Sequence, residues 1–326
     1  MQQYRDTNYA AVSAALHARE AHLLTQALSE RMLEAPTAEE SCKLLIECGY
    51  PPIEHCTLGE VEHLLALSRA ELYREVAVLA PDKRLVELFQ LKYDYHNAKL
   101  ALKAKLTGED VSRLVIGCGR YDAAALLRGE RGMLSSRMGR AMAQAEKEAE
   151  GGDVRAAELT LDRACFEEMS ALAKETESDF LIGYVALQID AINLRTLVRA
   201  QRMGASDELL SAALLPGGHI PANQLKTARG DRLAELTRGS ALSAAGELAA
   251  ATLGGSGSLT AFERACDDAL VRYLQRARRT PFGPEVIVGY LSAKEAEFTA
   301  VRTILSGKLA GLDAEDIRAR LRLSYL

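Results

Sequence analysis

An acidic residue, an asparagine or alanine three positions on, a basic residue two further and a glycine nine beyond that recur three times in this chain. The sets are Asp94, Asn97, Lys99 and Gly108; Asp190, Asn193, Arg195 and Gly204; and Glu297, Ala300, Arg302 and Gly311. A carboxylate with an amide and a cation nearby is raw material for acid–base chemistry. The spacing argues against that use. On a helix the acid and the residue three positions on share a face, whereas the base five positions on lies roughly 140° away at about 100° per residue. No histidine, cysteine or serine recurs beside the carboxylates to act as nucleophile or base. The structural reading is that Asp94, Asp190 and Glu297 pair with partners on neighbouring helices. Arg163 and Arg264, each in an Arg-Ala-Cys context, are the candidate partners of the second and third acids.

Other groups that bear chemistry are weaker still. Cysteines 42, 48, 56, 118, 165 and 266 lack paired zinc spacing and read as free thiols, small buried apolar residues. Cys56 follows His55, with Cys42, Cys48 and His63 near in sequence, so a metal site can be written down, but no metal or cofactor is expected. Gly254-Gly255-Ser256-Gly257 is glycine-rich without the Lys-Ser/Thr of a phosphate cradle, and Gly307-Lys308 lacks the earlier glycine. Both are read as loop and helix-end material. Phe282-Gly283-Pro284-Glu285 joins an aromatic to a Gly-Pro stop and an acid suited to a helix start, so it serves as a turn or as an interface. No catalytic residue is expected anywhere.

The elements that position these residues are helices. No proline occurs from Asp82 to Leu215, and Ala, Leu, Glu, Arg and Lys are abundant. Thr37, Thr57, Ser68 and Thr260 each precede a glutamate by three residues and read as helix starts, giving short helices early in the chain. Long helices are predicted over 83–105, 179–203 and 285–305, the last two preceded by helices over 159–173 and 260–277. Each long helix ends on its repeated glycine, where a left-handed residue is needed. Pro216-Gly217-Gly218 and Gly254–Gly257 are the breaker-rich linker candidates. The segments KLALKAKLTG, RTLVRAQRMG and RTILSGKLAG align without a gap, so the period is near one hundred residues. That is longer than the roughly 20–50 residues of a solenoid unit and suggests a triplicated domain, with divisions at 1–110, 111–214 and 215–326.

Length and charge narrow the function. At 326 residues the chain exceeds what one core usually supports, and its 48% hydrophobic and 26% charged residues suit folded lobes. A formal net charge of −5 disfavours nucleic acid as a partner. The best apolar stretch, Phe180 to Ile189, ends at Asp190 and is short for a bilayer, and the opening residues lack a signal-peptide core, so a cytoplasmic location is expected.

The third copy, from Phe282-Gly283-Pro284-Glu285 through Tyr290-Leu291-Ser292-Ala293-Lys294-Glu295 to Val301-Arg302-Thr303-Ile304-Leu305, resembles the C subunit of V-type (archaeal and bacterial A/V-type) ATPases, a family related to the eukaryotic d subunit. Lys92-Tyr93-Asp94-Tyr95-His96-Asn97-Ala98-Lys99 and the tail Glu315–Arg322 look like the same family, so the resemblance spans the chain. Val286 stands where family members often have a second proline. The resemblance implies an all-α fold of three similar helical bundles arranged as a funnel with pseudo-threefold symmetry. It implies a non-catalytic rotor subunit, present once per complex, that couples the central shaft, made of the D and F subunits, to the membrane proteolipid ring during ATP-linked proton or sodium transport. Such a protein associates peripherally with the cytoplasmic face of the membrane, and the active sites lie on other subunits. The basic tail residues Arg318, Arg320 and Arg322 either contact acidic partners or lipid headgroups or are simply solvated, as alternating charges on a terminal helix are. The competing reading is a cytoplasmic helical adaptor or regulatory scaffold outside a rotary ATPase. An enzyme ranks third.

Overall fold

The run of strong helix formers is realised: the computed structural model, which describes residues 6–325, is all-α, with no strand among the described residues. The opening residues 1–5, on which the signal-peptide reading rests, lie outside the described residues. The chain forms two compact units, Met1–Val86 with Glu263–Leu326, and Glu87–Phe262. The first begins with α1 (Ala10–Glu20), α2 (Gln26–Glu34), α3 (Ala38–Lys43) and α4 (Leu58–Leu79). Helix α5 (Arg84–Thr107) carries the chain into the second, which contains α6 (Ala123–Leu127), α7 (Ser136–Glu150), α8 (Val154–Glu175), α9 (Asp179–Arg202), α10 (Asp207–Ala213), α11 (Ala222–Thr227), α12 (Arg232–Thr237) and α13 (Ser243–Leu253). Helix α14 (Leu259–Leu274) leads back to the first unit through a 3-10 segment, Gln275–Arg279, and α15 (Pro284–Leu309) and α16 (Ala314–Arg320) complete it.

In the first unit α15 is central. Its side chains are buried without a break from Val286 to Ala293, the signature of a helix covered on all sides rather than striped. It packs against α1, α2, α3, α4 and α16. Gly289 and Gly307 permit this crowding: a Cβ at Gly289 would lie 2.6 Å from the Tyr325 hydroxyl, and one at Gly307 2.7 Å from Ile317 of α16. In the second unit α7 shows the simpler pattern, with Met138, Ala141, Met142, Ala145 and Ala149 forming one stripe. It packs on α8, whose buried residues include the small Ala157, Ala164, Cys165 and Ala173 beside Leu161. Helix α9 packs on α8, α10, α11 and α13. At 24 residues it exceeds the short apolar stretch expected from sequence and is long and apolar enough to cross a membrane, yet most of its apolar window is buried within the protein.

Several local expectations shift. The Thr37 and Thr57 hydroxyls accept from Glu40 N and Glu60 N as helix caps. Ser68, by contrast, sits inside α4, which runs uninterrupted for 22 residues because its Val61, Leu64, Leu65, Leu72 and Val76 stripe continues through that position. Thr260 is likewise inside α14, and the Ser258 hydroxyl accepts from Ala261 N in its place. Cys42 and Cys56 are joined in a disulfide where free thiols were expected, because the chain brings their Cα atoms to 6.5 Å. Cys48, Cys118, Cys165 and Cys266 are free and buried.

Candidate functional site

Each acid of the repeated motif is buried, and each is the acceptor at the centre of a clamp. In the second unit, Asp94 Oδ1 accepts from the backbone N–H groups of Arg120 at 2.8 Å and Tyr121 at 3.2 Å, and Oδ2 accepts from Arg120 Nε at 2.7 Å. One helical turn on, Asn97 bonds both backbone groups of a single residue, donating to Ile116 O at 2.8 Å and accepting from Ile116 N at 3.1 Å. Helix α9 repeats the arrangement. Asp190 accepts from His219 N at 2.9 Å and Ile220 N at 3.0 Å, while Asn193 donates to Leu215 O at 2.8 Å and accepts from Leu215 N at 2.7 Å. An asparagine is suited to this because it offers a donor and an acceptor side by side and so satisfies a buried peptide completely.

The clamped loops match in detail. Ile116-Gly117-Cys118-Gly119-Arg120-Tyr121 and Leu215-Pro216-Gly217-Gly218-His219-Ile220 align without a gap, with the asparagine on the first residue and the carboxylate on the last two. Gly119 and Gly218 precede the donors for a steric reason: a Cβ would stand 2.2 Å from Asp94 Oδ1 and 2.1 Å from Asp190 Oδ1. Pro216-Gly217-Gly218, expected as a linker, is thus the gripped segment itself. Gln90 extends the first clamp, donating to Cys118 O at 3.1 Å, and Arg120 Nη2 joins it to Glu168, which also accepts from the Tyr95 hydroxyl at 2.8 Å.

The third clamp, in the first unit, is built differently. Glu297 on α15 accepts from Leu24 N at 2.8 Å and from the Tyr50 hydroxyl at 2.5 Å, and Lys294 pairs with it. Its loop therefore comes from the start of the chain. Glutamate reaches one methylene further than aspartate, so the donor peptide can stand off from the helix, and Leu23 precedes it where the other copies require glycine. Ala300 stands where the other two have asparagine and makes no such bond. Around this acid, Lys294 lies 5.0 Å from the Tyr50 ring and 5.4 Å from the Phe298 ring, and Arg69 lies 4.8 Å from Phe298.

These contacts correct the expected ion pairs. Arg163 donates to Ala212 O and Leu214 O, and Arg264 lies 3.8 Å from Asp268, so neither meets Asp190 or Glu297. Backbone amides are the partners all three acids share, beside Arg120 at Asp94, His219 at Asp190 and Tyr50 and Lys294 at Glu297, and amides carry no side-chain signature in a sequence. The basic residues of the motif point elsewhere, as their angle on the helix requires: Lys99 pairs with Asp162 at 2.6 Å, and Arg302 forks onto Glu62. Burial pushes the Asp94 and Asp190 carboxyls above their ordinary values, against the pull of Arg120 and the loop amides in one and of the Ile220 and His219 amides in the other. With every oxygen occupied by a structural donor, these acids hold loops.

The remaining motif positions are structural as well. Gly108, Gly204 and Gly311 have φ of 70°, 64° and 73°, the left-handed turn that ends α5, α9 and α15. Gly283 N bonds Ser13 Oγ at 3.4 Å, Pro284 is the first residue of α15, and Phe282 is 40% exposed. Lys308 donates to Leu33 O and Ala35 O at the end of α2, a use of Gly307-Lys308 unrelated to phosphate. In the tail, Arg318 is taken by Glu30 and Glu315, and Arg322 by Asp267.

The model of the ATP synthase (C/AC39) subunit family matches residues 12–320. The chain belongs to that family. It is similar to the C subunit of the V-type sodium ATPase of Enterococcus hirae, 22% identical over 97% of this chain and 99% of the relative. It is also similar to the C subunit of the A-type ATP synthase of Methanocaldococcus jannaschii, 26% identical over 96% and 86%, and to that of the V-type ATP synthase of Thermus thermophilus, 26% identical over 93% and 94%. The chain is therefore a component of a rotary ATPase, structural in kind and peripheral to the membrane complex. The three clamps lie within the matched residues.

Proposed function

We propose that this family member is the non-catalytic rotor piece that couples the central shaft, made of the D and F subunits, to the proteolipid ring on the cytoplasmic face of the membrane, one copy per complex. Rotation then serves ATP-linked proton or sodium transport, and nucleotide chemistry belongs to other subunits. The observation that carries this reading is the family match over almost the whole chain, joined to clamps that spend all three motif acids on holding loops. A piece that transmits torque must keep its loops fixed to its helices, and buried peptides gripped on both polar groups are suited to that. In this reading the triplicated motif marks three similar bundles, 1–110, 111–214 and 215–326, arranged as a funnel, and the exposed Phe282 turn is a contact surface. The test is affinity purification of the tagged chain from detergent-solubilised membranes. Co-elution with shaft and proteolipid subunits is expected. Recovery only from the soluble fraction, with unrelated partners, would favour the adaptor reading instead.

A further inference from the structure

The C-terminal end of α14 and the 3-10 segment after it carry an unusual concentration of charge. Arg272, Arg276, Arg278 and Arg279 are all exposed, and no acidic residue occurs from Arg272 to Phe282, in a chain whose formal net charge is −5. None of the four forms an ion pair with a described acid, whereas Arg264, Arg318 and Arg322 nearby in the same unit are each taken by a carboxylate. Arg276 lies 5.0 Å from the Tyr273 ring, and among the described residues Arg278 donates to the Tyr325 carbonyl, at 3.5 Å. Pro281 and the 40% exposed Phe282 close the segment. A helix C-terminus favours a cation in its last turn, which accounts for Arg272. It does not account for three more beyond the helix, nor for an exposed aromatic beside them.

We propose that this segment docks on anionic phospholipid headgroups. A stable protein partner needs about 800 Å² from each side, roughly 20–30 residues, with matched shape. One short turn offers much less than that. A lipid surface needs no matched shape, because attraction accumulates with each cation brought within a Debye length, and an exposed apolar ring such as Phe282 buries at the headgroup–acyl boundary. The segment has both ingredients and lacks the acids that would oppose them. This inference does not rest on the shaft-and-ring reading.

The test is co-sedimentation of the purified full chain with phosphatidylcholine vesicles, with and without about one-quarter phosphatidylglycerol; the chain has no tryptophan to report insertion. Binding to the anionic vesicles alone is expected, falling steeply as salt is raised to about 0.5 M. Each Arg→Gln change should weaken partition roughly fivefold and the quadruple change more than a hundredfold. The quadruple Arg→Lys variant, which keeps charge and loses the guanidinium fork, should bind almost as well as the parent. Should the quadruple glutamine variant fail to fold, Arg276→Gln and Arg279→Gln singly carry the same test. Equal binding to neutral vesicles, retained binding in the glutamine variants, loss of binding in the lysine variant, or binding to polyglutamate but not to vesicles would each overturn the proposal. A chain that binds these vesicles but fails to co-purify with shaft and ring would overturn the rotor reading and leave this one standing.

Discussion

Gly218 and Asn193 define what one clamp requires. The Gly218→Ala variant places a Cβ 2.1 Å from Asp190 Oδ1, so the loop or the carboxylate must move. The expected cost is about 1–3 kcal/mol, the range of overpacked sites, read as a lower denaturant midpoint. The Asn193→Ala variant strands both backbone groups of Leu215, which is 5% exposed. A loss of about 1–3 kcal/mol per stranded group is expected, with hydrogen exchange speeding up at Leu215. An unchanged midpoint in both variants would show that the loop is not held as described. The acids and asparagines were readable as a pattern, and their shared face followed from helical spacing. Their partners were not, because any residue type has an amide to give. The one trace left in the sequence is the glycine before each aspartate's donor, Gly119 and Gly218, and it becomes meaningful only once the loops are aligned.

At the scale of elements, the helices themselves were written most plainly. Predicted long helices over 83–105, 179–203 and 285–305 emerged as Arg84–Thr107, Asp179–Arg202 and Pro284–Leu309. Helix starts were harder, since Ser68 and Thr260 have capping-box spacing in places where the apolar stripe simply continues. Two glycines separate conformational from propensity effects. Gly204, at φ 64°, should lose about 1 kcal/mol or more as Gly204→Ala, because the left-handed turn penalises a Cβ. Gly139, inside α7 with open space around it, should gain about 0.5–1 kcal/mol as Gly139→Ala. Thermal melts of the two variants should move in opposite directions. Helix α7 also carries a pH-dependent link. Partial burial works to raise the Glu146 carboxyl, but Arg131 and Lys105 outweigh it and hold the group below its ordinary range. Its stabilising effect is therefore complete above the unfolded value of about 4.3 and is lost as pH falls through the lowered value. The melting difference between the parent and Glu146→Gln should be full at neutral pH and close as pH is taken well below about 4.

Over the whole chain, the triplication was visible in the spacing of acid, base and glycine, but the closure of the third copy was not. Leu24 and Tyr50 are separated from Glu297 by 273 and 247 residues, and no local pattern announces such a pairing. Glu297→Ala would leave the Leu24 amide, the Tyr50 hydroxyl and Lys294 without their shared acceptor. Breaking a buried charge pair this way costs about 3–5 kcal/mol, and protection from exchange should be lost at Leu24 while the second unit keeps its own. Equal loss in both units would contradict the separate clamps. The same contact imposes an order on synthesis. The Asp94 and Asp190 loops follow their helices closely in the chain, so each can close soon after leaving the ribosome. Leu24, by contrast, must wait for Glu297, translated 273 residues later, and a nascent chain stalled between the two would leave the Leu24 segment open to proteases and chaperones.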